Sequence, residues 1–137
     1  FEDLEVWKLA RMLCDEIYIL ISSTPLKNNY KLKEQINSSS GSVMDNIAEG
    51  FERNGNKEFR QFLSISKGSC GETRSQLYRI LDRKYIENEK FNELKDLTIL
   101  INNKIGSFIQ YLNKTEYKGQ KFNNWLSYFF YKLIITT

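Results

Sequence analysis

The 27 residues from Lys57 to Arg83 read KEFRQFLSISKGSCGETRSQLYRILDR. Within them Phe59, Leu63, Ser66, Cys70, Thr73, Leu77 and Ile80 recur at alternating steps of four and three. Those steps return to one face of an α-helix, in a near-heptad rhythm suited to antiparallel bundle packing. The stretch therefore predicts one long helix whose apolar and small face is packed. Arg60, Ser64, Lys67, Gly71 and Arg74 keep the same rhythm but lie about 100° or more around the axis. This helix thus carries two rows of different chemistry.

The neighbouring segments fit the same architecture. Upstream, Phe51 to Asn56 reads as a connector, because Asn54, Gly55 and Asn56 are turn formers. Before it, a helix is expected from Tyr30 to Gly50, with Leu32, Ile36, Ser39, Val43 and Ile47 on one face. Ser38, Ser39, Ser40 and Gly41 interrupt that face. Such small residues either let another helix approach closely or mark a kink. The first helix is expected from Asp3, a candidate N-cap, to Ile21, with Leu4, Trp7, Ala10, Leu13, Ile17 and Leu20 inward. Ser22 to Pro25 ends it. Downstream, Asn88 separates the long helix from a fourth, Phe91 to Leu112, lined by Leu94, Leu97, Ile101, Ile105, Phe108 and Leu112.

Short connections favour antiparallel neighbours. The expected fold is all-α: an antiparallel up-down four-helix bundle over residues 1–114, with a C-terminal extension over 115–137. In that extension Lys118 to Lys121 reads as a loop. Trp125 to Ile135, rich in aromatic and β-branched residues, reads as a short helix or as an extended segment docked on the bundle or on a neighbouring subunit. Left uncovered, such a segment invites aggregation.

Composition narrows the chemistry. The chain has 137 residues, 41% of them hydrophobic, enough for one domain with one core. Pro25 is the only proline, so long helices are permitted. With no histidine, the commonest general base and metal ligand is missing, and the Glu-x-x-His motif of di-metal bundles cannot be written. No cofactor and no metal is expected. Cys14 and Cys70 form no CxxC and read as two free thiols in a reducing compartment, a single disulfide being the alternative. No signal-peptide pattern opens the sequence, and no apolar run reaches the roughly 20 residues of a membrane helix. A cytoplasmic protein without membrane association is the expectation.

The net charge of +3 is too small to indicate a nucleic-acid binder unless the cations cluster. The second row of the long helix supplies a cluster, and Lys57 and Arg53 extend it. Cations separated by small residues suit a phosphate backbone, because bulky neighbours would hold the strand away. The ordinary alternative is a solvated charged face. Glu49 and Glu72, beside small residues, read as partly buried carboxylates, with Glu49 pairing Arg53. A catalytic dyad would need an acid–base partner that the sequence does not supply, so the chain is read as a non-enzyme. Trp7 and Tyr18 either stack on bases or pack in a core or interface, packing being the commoner use.

Several segments together resemble one known family. Asp3-Leu4-Glu5-Val6-Trp7 opens the first helix. Ser42-Val43-Met44-Asp45-Asn46-Ile47-Ala48-Glu49-Gly50 ends the second and is followed by Arg53. Lys57-Glu58-Phe59 and Phe62-Leu63-Ser64-Ile65-Ser66-Lys67-Gly68-Ser69 begin the third, before Glu72 and Gln76-Leu77. The chain from Phe1 to Phe122 is similar to the four-helix-bundle proteins encoded in intervening sequences of bacterial 23S ribosomal RNA genes. A related group serves the reverse transcriptase of diversity-generating retroelements as an accessory protein.

The resemblance implies a homo-oligomer, in the form of a ring-shaped homopentamer, that binds RNA or another nucleic acid through a basic helix face. Arg53, Lys57, Arg60, Lys67 and Arg74 are the expected contact residues. A protein-interaction scaffold with no nucleic-acid role is the alternative. Asn46, Glu49 and Gly50 mark a corner between the second and third helices. There Gly50 fits a C-terminal position of positive φ, and Asn46 can bond backbone across the turn. The chain departs from the pattern at Asn37 and Ser38, where relatives often carry arginine, and at Thr73, where they carry leucine.

Overall fold

In the computed structural model, which describes residues 1–115, four helices follow one another: α1 (Glu5–Ser23), α2 (Tyr30–Glu52), α3 (Asn56–Asp82) and α4 (Asn88–Lys114). α1 packs on α2, α2 on α3 and α3 on α4, and α4 closes back on α1, which is the up-down four-helix bundle. The α2–α3 interface is the most extensive and the α1–α4 interface the least. Every member of the α3 inner row, Phe59 through Ile80, is buried. At the lower end Phe59 meets Phe51 and Phe108 edge to face, with ring centroids 5.9 and 5.0 Å apart. The segment expected beyond the bundle, from residue 116 on, lies outside the described residues.

The helix ends differ from the expectations. α1 starts two residues later than Asp3, because Leu4 turns into the core at 1% exposure and becomes the N-cap without a side-chain bond. Burying an apolar side chain outweighs a polar cap worth about 1 kcal/mol. Pro25 opens a 3-10 turn, Pro25–Asn28. Thr24 closes α1 by donating to the Leu20 carbonyl at 2.7 Å and starts that turn by accepting from the Leu26 amide at 3.3 Å. Asn29 caps α2 through the Leu32 amide, and its Nδ2 donates to the Tyr85 hydroxyl at 3.2 Å. This bond ties the α1–α2 corner to the α3–α4 connection. Asn88 is the first residue of α4 rather than a separator; Arg83 to Glu87 makes the connection, with Lys84 at φ 61°.

The serine run of α2 is a close-approach surface, and α2 continues unbroken through it. Ser66 Oγ donates to the Val43 carbonyl at 2.7 Å, and Ser42 and Ser69 hydroxyls meet at 2.8 Å. Ser39 lies 2.8 Å from Thr73 Oγ1 and donates to Gln76 Oε1 at 2.6 Å. Short side chains let the two helices approach while every buried hydroxyl finds a partner. Gly41 takes no part, since a Cβ there would meet nothing within 4 Å.

Candidate nucleic-acid interface

The α3–α4 register follows from contacts along its length. Asn56 Nδ2 donates to the carbonyls of Leu112 at 3.3 Å and Thr115 at 2.6 Å. Arg60 Nη1 donates to Asn113 Oδ1. Lys67 Nζ lies 3.9 Å from where a Gly106 Cβ would stand. Cys70 Sγ donates to the Thr98 carbonyl at 3.2 Å, and Tyr78 meets Phe91 edge to face at 4.8 Å. The two helices run antiparallel, and the flank of α3 bearing Arg60, Lys67 and Arg74 borders α4.

Along that border Arg60 and Arg74 are half-buried and Lys67 is exposed. The Arg60 guanidinium is fixed from two sides, since Nε also donates to the Asn56 carbonyl at 3.3 Å. Between Arg60 and Asn113 lies a shallow groove of about 520 Å³, with Ile65 and Ile109 among its lining residues. Lys57 is exposed at its lower edge. Arg53 stands apart from the row. It is exposed, pairs with Glu49 at 3.0 Å, and lies over the Phe62 ring at 5.3 Å. Glu49, by its hydrogen bond and then its charge, pushes the Arg53 pKa further up, so this guanidinium already has a counter-charge.

The α2–α3 corner works differently from the expectation. Gly50 lies within α2 and needs no positive φ; the positive φ of this corner, 95°, falls instead at Gly55, the N-cap of α3. Gly50 is required because a Cβ would come within 2.6 Å of Phe62 Cβ and 3.1 Å of Phe59 Cδ1. Asn46 bonds along its own helix, donating to the Ser42 carbonyl at 2.8 Å and hydroxyl at 2.9 Å. Glu49 and Glu72 are both exposed, against the expectation of burial, and Glu72 accepts from Gln76 Nε2 at 3.2 Å.

The model of the 23S rRNA-intervening sequence protein family matches residues 2–107. The chain belongs to that family. Among solved structures, a protein of unknown function from the S23 ribosomal protein family of Bacteroides thetaiotaomicron superposes with a TM-score of 0.70 at 24% identity, covering 77% of this chain and 98% of that one. The likeness shows the shared fold. Comparison with curated proteins yields no match.

In this intervening-sequence protein, α4 adds residues to the candidate face that the α3 rhythm alone does not reveal. Lys95 stands at the level of Arg74, since Thr98 and Phe91 on α4 face Cys70 and Tyr78 on α3. Its ammonium lies 5.6 Å from the centre of the Phe91 ring. Asn113 holds Arg60, and the Oδ1 of Asn102, one turn from Gly106, is buried without a hydrogen-bond partner among the described residues. The short α3–α4 connection was the available signal, because residues equally far from it on either side become neighbours. None of Arg60, Lys67, Arg74 and Lys95 makes an ion pair among the described residues.

Other constellations do different work. Trp7 is partly buried, meets Phe1 edge to face at 5.2 Å and carries Arg11 over its ring, so it packs. Tyr18, at 67% exposure, is not a core aromatic. Both thiols are free and bonded to different helices, Cys14 to the Ser40 carbonyl at 3.2 Å and Cys70 to Thr98, which excludes the disulfide alternative. Among the described residues, no group of three metal-ligating side chains forms and no helix is long and apolar enough to cross a membrane.

Proposed function

We propose that this family member is a cytoplasmic, non-enzymatic, homo-oligomeric bundle that binds RNA or another nucleic acid through the face bordered by α3 and α4. The observation that carries the reading is the row Arg60, Lys67 and Arg74, joined by Lys95, with no ion-pair partner among the described residues. Among the described residues only Arg53, by Glu49, and Lys90, by Glu16 at 2.8 Å and by Glu93, have a carboxylate partner, so it is alignment on one flank of α3 that sets the row apart from the other surface cations. Cations held in line without such neighbours are available to phosphate. Lys57 extends the row, while Arg53, paired with Glu49 and lying over Phe62, stays apart from it.

One subunit at +3 is a weak polyanion ligand. A ring of five, as the family resemblance implies, would present several rows at once and gain by effective concentration.

The test is titration of labelled RNA at low and moderate salt by wild type and by the combined Arg60→Ala, Lys67→Ala, Arg74→Ala variant, with subunit number measured by light scattering. Salt-sensitive binding lost in the variant supports the reading. Equal binding by the two proteins, or none at low salt, overturns it. Docking of a protein partner is the second reading. It is favoured by exposed Met12 and Ile19 on α1 and Leu100 on α4, at 52%, 46% and 43% exposure.

A further inference from the structure

The α3 row does not stop at its last cation. Arg60, Ser64, Lys67, Gly71 and Arg74 are followed, at the next step of four, by Tyr78, which is 48% exposed. Its ring is held on edge against Phe91 at 4.8 Å and 68°, and Phe91 is itself anchored at 4% exposure. We infer that the ligand of this face is a single-stranded polynucleotide whose phosphates follow Arg60, Lys67 and Arg74 and whose base stacks on Tyr78.

The inference rests on the nucleic-acid reading and narrows it by two arguments. The first is shape. At 1.5 Å per residue the three cations span about 21 Å in a nearly straight line, at intervals of about 10 Å. Lys95, on α4, adds charge beside the upper end. A straight row serves one backbone, whereas the two backbones of a duplex wind away from it. Ser64 and Gly71, between the cations, leave room for that backbone. A Cβ at Gly71 would meet nothing within 4 Å, so its smallness is unused inside the chain. The second is chemistry. Duplex bases are stacked on one another and offer no open face, while a single strand presents base faces that an exposed aromatic can take. Phe91 fixes the orientation of Tyr78 in advance, so little freedom remains to be lost on stacking.

The experiment measures anisotropy of labelled 12-mer oligo-uridine, 12-mer oligo-thymidine and the matched duplexes. The proteins are wild type, Tyr78→Ala, Tyr78→Phe and the triple cation variant, each checked for folding by circular dichroism. Single strands of either sugar should bind more tightly than either duplex. Tyr78→Ala should weaken single-strand binding about tenfold, the order of one lost base stack, and Tyr78→Phe should restore it. The slope of log affinity against log salt should be unchanged in Tyr78→Ala. It should become shallower by about 0.7 for each cation removed. Duplex binding equal to or tighter than single-strand binding overturns the inference while leaving the broader reading intact. So does an unaffected Tyr78→Ala protein whose cation variant still loses affinity. Loss of neither in the cation variant overturns both.

Discussion

Gly50 of α2 and Phe62 of α3 stand so close that a Cβ on the glycine would lie 2.6 Å from the phenylalanine Cβ. Neither atom can swing away, because both are fixed to helix backbone. Gly50→Ala should therefore lower unfolding free energy by about 1–3 kcal/mol through overpacking, overriding the gain of about 1 kcal/mol that alanine brings to an open helical site. Gly68, on the exposed side of α3 with nothing within 4 Å of a built Cβ, is the opposite case. Gly68→Ala should raise stability by up to about 1 kcal/mol. Urea unfolding of both variants checks the pair, and the same sign for both would contradict the account.

A second prediction concerns the buried hydroxyls of the α2–α3 seam. The Ser39 and Thr73 hydroxyls meet at 2.8 Å, with the Ser69 carbonyl 2.9 Å from Thr73 Oγ1; Ser39 donates to Gln76 Oε1, and Gln76 Nε2 donates to Glu72, so the chain ends at an exposed carboxylate. Ser39 is 4% exposed, Thr73 0% and Gln76 5%, so water cannot easily replace a lost member. Ser39→Ala strands Gln76 Oε1 and should cost about 1–3 kcal/mol. Ser38→Ala, one residue away and exposed, should stay within about 0.5 kcal/mol of wild type in the same urea experiment.

These two contacts explain why the fold and the Glu49–Arg53 pair were legible in the sequence while Gly50 and Asn46 at the corner were read wrongly. The inner row of α3 is a periodic signal, and all seven of its members are buried. Periodicity survives errors at single positions. Gly50 carries no periodic signal. A glycine near a helix end is ambiguous between a positive φ and a close approach, and only the position of Phe62 decides. The serine run was ambiguous for the same reason, because hydroxyl partners come from another helix. On the candidate face, α3 was legible since its cations share one rhythm. Lys95, Asn102 and Asn113 were missed because their relation to α3 depends on register across a turn, which local spacing does not encode.

Asn56 links the start of α3 to the end of α4, and its loss should be felt at the far helix. Its Nδ2 donates to the Leu112 and Thr115 carbonyls, and Leu112 is one of the last-turn acceptors that a helix leaves unsatisfied. Asn56→Ala removes a buried donor, so stability should drop by about 1–2 kcal/mol. Amide hydrogen exchange should accelerate selectively over Ile109 to Lys114, while the upper half of α4 keeps its protection relative to global stability. Uniform acceleration along α4 would show that Asn56 supports the bundle generally and not this helix end.

Cys70 makes the stability of the bundle depend on alkaline pH in a direction that can be worked out. Burial pushes its thiol up from 9.0 to about 11, offset in part by the Arg74 charge, and its Sγ donates to the Thr98 carbonyl. The folded state therefore keeps the proton to higher pH than the unfolded chain does. Below pH 9 both states are protonated, and the thiol's contribution is fully present. Between pH 9 and 11 the unfolded chain ionises first, binds fewer protons than the native protein, and gains stability relative to it. Wild-type unfolding free energy should fall across that window by an amount on the order of 2 kcal/mol more than in Cys70→Ala, with Cys14, also raised by burial, adding in the same direction in both proteins. Denaturant titrations of the two proteins at pH 8, 9, 10 and 11 measure the difference. At pH 8 a disulfide reagent should modify Cys70 only as fast as the bundle opens. Parallel pH curves for wild type and Cys70→Ala, or rapid modification of Cys70 in the native state, would contradict this account of a sealed α3–α4 core.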